Sequence, residues 1–244
     1  AANLGGMLTP FGNPQNLFLY QKMGTSFGEF TLFMLPLVLI SLVLLVGATL
    51  FLFKGKMKDE IILRPDCGSN IGDKSMRMFY LCLFIVVLMT ILGAFPVPSI
   101  FIMFVAMLLC FDRKIFKIVD WPLLGTFLCF FIFSSSISGN EKIAHMLSKV
   151  VAGNEYASGL LLSQVISNVP AAILLEPFAE GYKGLLYGVD VGGLGTIVAS
   201  LASLISFRCY TKEYPKKKGE FMKIFTIYNL AFLVVLGAIT LLFL

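Results

Sequence analysis

Charge is scarce in this chain: 14% of its 244 residues are Asp, Glu, Lys or Arg, beside one His and one Trp. Soluble domains carry about a quarter charged residues, so a water-solvated globular surface is excluded. The single histidine, His145, has no second ligand near it, so it reads as a loop residue rather than a metal or proton site. The five cysteines (Cys67, Cys82, Cys110, Cys129, Cys209) form no CxxC pair, and three fall inside apolar runs. They read as buried, helix-packing thiols and not as disulfides or metal ligands. No HExxH or GxGD-like motif is present. No initiator Met or signal segment opens the chain, which starts inside a motif. The expectation is a fragment whose N-terminal part is absent, ahead of a natural half-size protein that dimerises.

What is abundant is apolar surface. Apolar residues make up 58%, including 24 Phe, and the mean hydropathy is +0.89. Several runs exceed the roughly 18 residues that mark a membrane span. The fold class that follows is an all-α polytopic membrane protein. Phe30 to Phe53 reads as a span with Pro36 as a kink. Met78 to Phe111 is too long for one span, at about 50 Å against a hydrocarbon core of about 30 Å, and Pro96-Val97-Pro98 splits it. Trp121 to Ser136 follows with Trp121 as interfacial anchor, then a polar stretch Ser138 to Tyr156, and Ile224 to Leu244 is the last span. Phe127 to Phe133 reads as lipid-facing or helix-packing aromatic surface.

The net charge of +5 is not a nucleic-acid signal, because its distribution is topological. Residues 54–77, 112–120 and 208–223 hold six, three and six Lys/Arg, 15 of the 19 present. The positive-inside rule makes these three loops cytoplasmic. That register holds only if Ala157 to Gly181 does not cross. This stretch carries Ser167-Asn168-Val169-Pro170 at its middle, and two arms of about 18 Å cannot each span the bilayer. It reads as a re-entrant hairpin whose second arm is capped by Asn168, with Pro170 in its first turn.

The opening stretch is apolar yet rich in Gly, Pro and Asn. It reads as a helix stopping near Gly5-Gly6, an extended link through Thr9-Pro10, and a second helix starting at Pro14 behind Asn13 as N-cap. Broken helices survive in a bilayer only where they line protein or a polar cavity. Shifted by 187 positions, Leu4-Gly5-Gly6-Met7-Leu8-Thr9 overlies Val191-Gly192-Gly193-Leu194-Gly195-Thr196, with Asn3 over Asp190 and Asn13 over Ser200. The loop charges give the two copies opposite directions, the pattern of inverted-repeat transporters. By symmetry, the first copy should follow a hairpin of its own, with its tip about 19 positions before residue 1. Residues 1–23 are then the broken helix of the first repeat and 24–156 scaffold-type spans. Residues 157–207 form the hairpin and broken helix of the second repeat, and 208–244 a basic loop and last span.

The GGxxTPxGxPxNL pattern at Gly5–Leu17, the Ser167-Asn168-Val169-Pro170 hairpin and the second GGxGT segment resemble the ion transporter superfamily. That group includes citrate and dicarboxylate carriers, divalent-anion/sodium symporters, arsenite permeases and some sodium–proton antiporters. The resemblance implies elevator-type transport, often within a homodimer. Val169 stands where the dicarboxylate carriers have Thr, which looks more like the arsenite-permease and anion-permease branches.

The site expected from these residues has two parts. Thr9, Asn13, Ser167, Asn168, Thr196 and Ser200 are candidate solute ligands, because helix N-termini near Asn13 and Asn168 suit an anion. Asn3, Gly5, Gly6, Asp190, Gly192 and Gly193 are candidate ion ligands, with Na⁺ as candidate coupling ion and no other cofactor. The function expected is secondary transport of a small carboxylate or oxyanion, coupled to Na⁺ or H⁺, in a prokaryotic plasma (inner) membrane. The partners are the small anion and the bilayer, not nucleic acid. Sodium–proton antiport or arsenite efflux is the alternative. An intramembrane hydrolase using Glu176 and Asp190 is a distant one, and an assembly subunit would not explain two broken helices.

Overall fold

The structure, a computed structural model, describes residues 2–52, 74–242 and 244. Among these residues there are twelve α-helices and no strand, so the chain is an all-α protein. Four helical stretches are long and apolar enough to cross a membrane: Phe27–Leu52, Lys74–Ile91, Trp121–Ser138 and Pro215–Thr240. The chain divides into two compact units, one reaching to Gly47 and resuming at Pro122, the other running from Ala48 to Trp121.

The first helices are α1 (Ala2–Gly6), α2 (Pro14–Met23) and α3 (Phe27–Leu52), the last with Pro36 inside it. In the Ala48–Trp121 unit, α4 (Lys74–Ile91) and α5 (Val97–Phe111) divide the long apolar run at the expected Pro-Val-Pro. Pro96 is the N-cap of α5, and Gly93 turns the link at φ 84°. Asp112 closes α5, its side chain accepting from Lys114 N and from the Tyr80 hydroxyl. Lys74 and Arg77 belong to the first turn of α4 and not to a loop. Most of the expected basic loop 54–77 lies outside the described residues.

The other unit continues with α6 (Trp121–Ser138), α7 (Glu141–Val151), α8 (Glu155–Ile166), α9 (Asn168–Leu175), α10 (Tyr182–Gly192), α11 (Leu201–Glu213) and α12 (Lys218–Thr240). Two expected loops are largely helix. The polar stretch after Ser138 contains α7, started by Asn140, whose side chain accepts from Ile143 N at 3.3 Å. Alternating polar and apolar residues at helical spacing drive this helix, a period that a count of polar residues misses. The basic stretch after Phe207 is the end of α11, a 3-10 turn at Pro215–Lys217 and the start of α12. Cys82, Cys110, Cys129 and Cys209 are exposed on this chain, not buried.

The hairpin is present, with arms α8 and α9 of about 18 and 12 Å joined at Ser167. Its scaffold is α10, which lies so close along α8 that a Cβ on Gly188 would sit 2.4 Å from the Tyr156 carbonyl oxygen. Leu185, Leu186, Val189 and Val191 on α10 are fully buried there, in one core with Leu4, Met7, Leu19 and Phe30. Glu155 clamps the base of the hairpin. Its Oε1 accepts from the backbone N–H of Gly153, Glu180 and Gly181, each at 3.2 Å.

Burial alone would raise the Glu155 carboxyl, but the N–H donors outweigh it and hold it below its ordinary 4.5. A carboxyl lowered in the native state stabilises it above the unfolded value and loses that contribution as pH falls through the native one. Glu155→Gln should therefore lower the thermal midpoint of the detergent-solubilised protein at neutral pH. The gap from wild type should close as pH drops from about 5 toward about 3. A gap that stays constant over that window contradicts the clamp.

Candidate functional site

The two breaks coincide at the shift of 187. Helix α2 starts at Pro14 and α11 at Leu201, its counterpart. Their N-caps, Asn13 (φ −136°, ψ 144°) and Ser200 (φ −143°, ψ 138°), share one backbone conformation. The counterparts Asn3 and Asp190 also touch: Asn3 Nδ2 donates to the Asp190 carbonyl at 3.1 Å. The two residues that the shift pairs are thus in direct contact.

Helices that stop in a nonpolar interior leave carbonyls needing donors. Side-chain amides supply them. Asn13 Nδ2 donates to the Asn3 carbonyl at 3.0 Å and Asn16 Nδ2 to the Met7 carbonyl at 3.2 Å. In the second copy, Gln164 Nε2 donates to the Gly192 carbonyl at 2.6 Å. The same Gln164 accepts from Thr196 N at 3.1 Å, while the Thr196 hydroxyl donates to the Gln164 carbonyl at 3.0 Å. Hairpin arm and second break are thus stitched together. The Gly192 carbonyl, expected to be free for a cation, has a protein partner, as do those of Asn3 and Asp190.

Asp190 is fully buried, and its Oδ1 accepts from Gln15 Nε2 at 2.8 Å. Its Oδ2 and the Oδ1 of Asn16 are buried without a hydrogen-bond partner among the described residues. Lys22 pairs with Glu176 at 3.4 Å, and no ion pair to Asp190 is found among the described residues. A carboxylate so enclosed by neutral amides requires a cation or a proton.

A second feature adjoins it. Ser167 sits at φ 79°, ψ 153°, a conformation that glycine favours, and Asn168 is the first residue of α9. Asn168 does not cap the arm with its side chain, as expected. Its N–H donates to the Ala199 carbonyl at 2.9 Å, and its Nδ2 reaches Asn3 Oδ1 at 3.5 Å. The first turns of α9 and α11 thereby converge on one cavity of about 200 Å³, lined by Ser167, Val169, Pro170, Ser200 and Leu201, with Phe127 and Phe130 of α6. The lining is mostly apolar, with Thr126, Ser167 and Ser200 as its polar side chains, and the positive ends of two helices open onto it. No Lys, Arg or His lines it.

Of the expected residues, Asn3, Asn13, Asn168, Asp190, Gly6 and Gly193 come together, while Ser167 and Ser200 share the cavity. Thr196 joins Gln164. Thr9 sits in the first break, its carbonyl accepting from Gly12 N at 3.1 Å, and Gly5 is exposed with open space around its Cα. Gln15, Asn16 and Gln164 were not anticipated. Their signal was an amide inside an otherwise apolar helix, which has to find a partner.

Residues 1–205 match the family described as "Citrate transporter". The chain is 34% identical over 243 residues to an uncharacterized transporter of Methanocaldococcus jannaschii, covering 98% of this chain and 63% of that protein. It is 31% identical over 212 residues to the inner membrane protein YbiR of Escherichia coli, covering 85% of this chain and 56% of that protein. A 46 kDa membrane protein of Mycobacterium leprae is 25% identical over 242 residues, at 84% and 56% coverage. The chain therefore spans about 60% of the length of such relatives.

A Cβ on Gly193 would lie 2.3 Å from Asn3 Nδ2 and 2.7 Å from Asn168 Nδ2, whereas one on Gly5 meets nothing within 4 Å. Gly193→Ala should cost about 1–3 kcal/mol by overpacking. Gly5→Ala, inside α1, should be neutral or stabilising by up to about 1 kcal/mol. Thermal unfolding of both variants in detergent tests this, and equal midpoints would show that the amide cluster does not need the close approach.

Proposed function

The chain belongs to the citrate transporter family, and on that premise we propose that it forms the C-terminal portion of a secondary transporter for a small anion. A carboxylate or an oxyanion is the solute class, and the coupling ion is Na⁺ or H⁺. The observation that carries this reading is the pairing of a cavity at the N-termini of α9 and α11 with an uncompensated buried acid, Asp190. The cavity supplies dipoles instead of fixed cations, so an anion is held without a full opposite charge. Asp190 supplies the fixed negative charge that a coupling cation neutralises. Asn3, bonded to the Asp190 main-chain carbonyl and to the Asn168 amide, joins the helix that carries the acid to the hairpin tip.

The hairpin and the second broken helix share Gln164 and Thr196, which supports their moving as one body, in keeping with elevator-type alternating access. A homodimer in a prokaryotic plasma membrane, with the basic segments cytoplasmic, completes the proposal. Sodium–proton antiport uses the same Asp190 without the anion cavity, and arsenite efflux uses the cavity with a smaller solute. The hydrolase reading loses its support. Glu176 is engaged by Lys22 and by the Tyr182 hydroxyl at 3.2 Å, Asp190 by Gln15, and no hydrogen bond among the described residues joins the two acids.

The test is flux into proteoliposomes holding the full-length protein, with citrate, succinate, sulfate and arsenite offered under a Na⁺ or a pH gradient. Asn168→Ala and Asn13→Ala should each abolish uptake of the transported solute while expression persists. Full uptake by both variants would remove the solute site from these residues. Asp190→Asn keeps the side-chain shape, and should lower gradient-driven accumulation by about tenfold or more while solute exchange continues. Gradient-driven accumulation at the wild-type level in that variant would remove the coupling role.

A further inference from the structure

Helix α7 divides its surface in a way that a wholly protein-packed or wholly solvated helix does not. Glu141, Lys142, His145, Ser148 and Lys149 fall on one arc at helical spacing. Of the apolar remainder, Val151 is buried in the protein, whereas Ile143, Met146 and Val150 are 39%, 61% and 59% exposed. An apolar, outward-facing stripe beside a polar arc is the signature of a helix lying in the plane of the membrane–water interface.

Between α7 and α8 runs an open groove of about 720 Å³. Its polar residues come from the end of α7 and the start of α8, and the part along the rest of α8 is apolar. Lys149, Asn154 and Ser158 stand there among Leu147, Val150, Val151 and Ala157, and Leu161, Leu162, Val165 and Leu175 line the remainder. Leu161 and Val165 are 65% and 71% exposed, so this face of the hairpin has no cover among the described residues. Helix α8 is about 18 Å long, close to the roughly 15 Å depth of one hydrocarbon leaflet. No ion pair to Lys149 is found among the described residues.

We propose that this groove is a phospholipid site, with the headgroup phosphate on the Lys149 ammonium and the Asn154 amide and one acyl chain laid along Leu161 and Val165. A cationic, hydrogen-bonding end and an apolar channel one leaflet deep match a molecule with a phosphate at one end and a hydrocarbon chain at the other. A second protein helix in the groove would place an apolar surface against Lys149 and leave its charge uncompensated. The lipid holds the hairpin arm opposite the face that Gly188 and Gly192 offer to α8, so it braces the hairpin without entering the solute cavity.

The experiment places a tryptophan in the groove of the full-length protein (Val165→Trp, other tryptophans replaced by Phe) and titrates in brominated phosphatidylglycerol or phosphatidylcholine in nanodiscs. Quenching should reach half at about fivefold lower mole fraction for phosphatidylglycerol, and Lys149→Gln should erase that preference. Native mass spectrometry of the protein with its natural tryptophans should show phosphatidylglycerol retained after delipidation, and lost in Lys149→Gln. Inorganic phosphate should displace nothing. Absence of quenching would mean that protein fills the groove. Equal quenching by both lipids with no effect of Lys149→Gln would mean ordinary bilayer contact. Either result, or displacement by inorganic phosphate, or equal lipid retention by wild type and Lys149→Gln, overturns the site.

Discussion

A helix interrupted in a nonpolar interior must find hydrogen-bond partners for the groups it frees, and the rest of this structure depends on that requirement. Water cannot be assumed at such depth, so neighbouring side chains take its place. Here they are amides, which donate and accept without bringing charge. Asn13 and Asn16 satisfy the first break from within it, and Asn3 serves the second from α1. Gln164 satisfies the second break from the hairpin. Because one amide group often serves two elements, the breaks and the hairpin are tied into one polar cluster and not three.

Apolar packing sets the positions that this cluster needs. The approach of α10 to α8 requires Gly188 against the Tyr156 backbone, and the buried Leu and Val side chains of α10 fill the space around it. That fixes Asp190, two residues further on, beneath α2, where Gln15 reaches it. The polar chemistry therefore inherits its precision from the core. The hairpin base adds an independent fastening through Glu155, at the end of the arm remote from Ser167.

Much of this was legible from residue types alone. Gly5-Gly6, Asn13-Pro14 and the shift of 187 located both breaks, because Gly and Pro act on the backbone directly and leave a local trace. Ser167-Asn168 located the hairpin tip for the same reason. The partners of the side chains were not legible. Asn13 holds the expected N-cap position of α2, but neither its side chain nor that of Asn168 makes a capping bond, and both reach Asn3 instead. Such long-range partners depend on how α1, α9 and α10 pack, which a linear pattern does not encode. Helix α7 was hidden because its polar and apolar residues are interspersed and sort into two faces only at a period of 3.6. Full burial of Asp190 was likewise a property of the assembled core.

The contact between Asn3 and Asp190 also bears on how such a protein can change over generations. Two halves that resemble each other usually drift apart freely wherever their surfaces are separate. At this point, each half supplies the other's immediate neighbour, so an alteration in one copy is at once an alteration in the surroundings of its twin. Because the Asn3 amide meets the main-chain carbonyl of residue 190 and not its carboxylate, the contact tolerates a change of side chain at 190 but not the loss of the amide at 3.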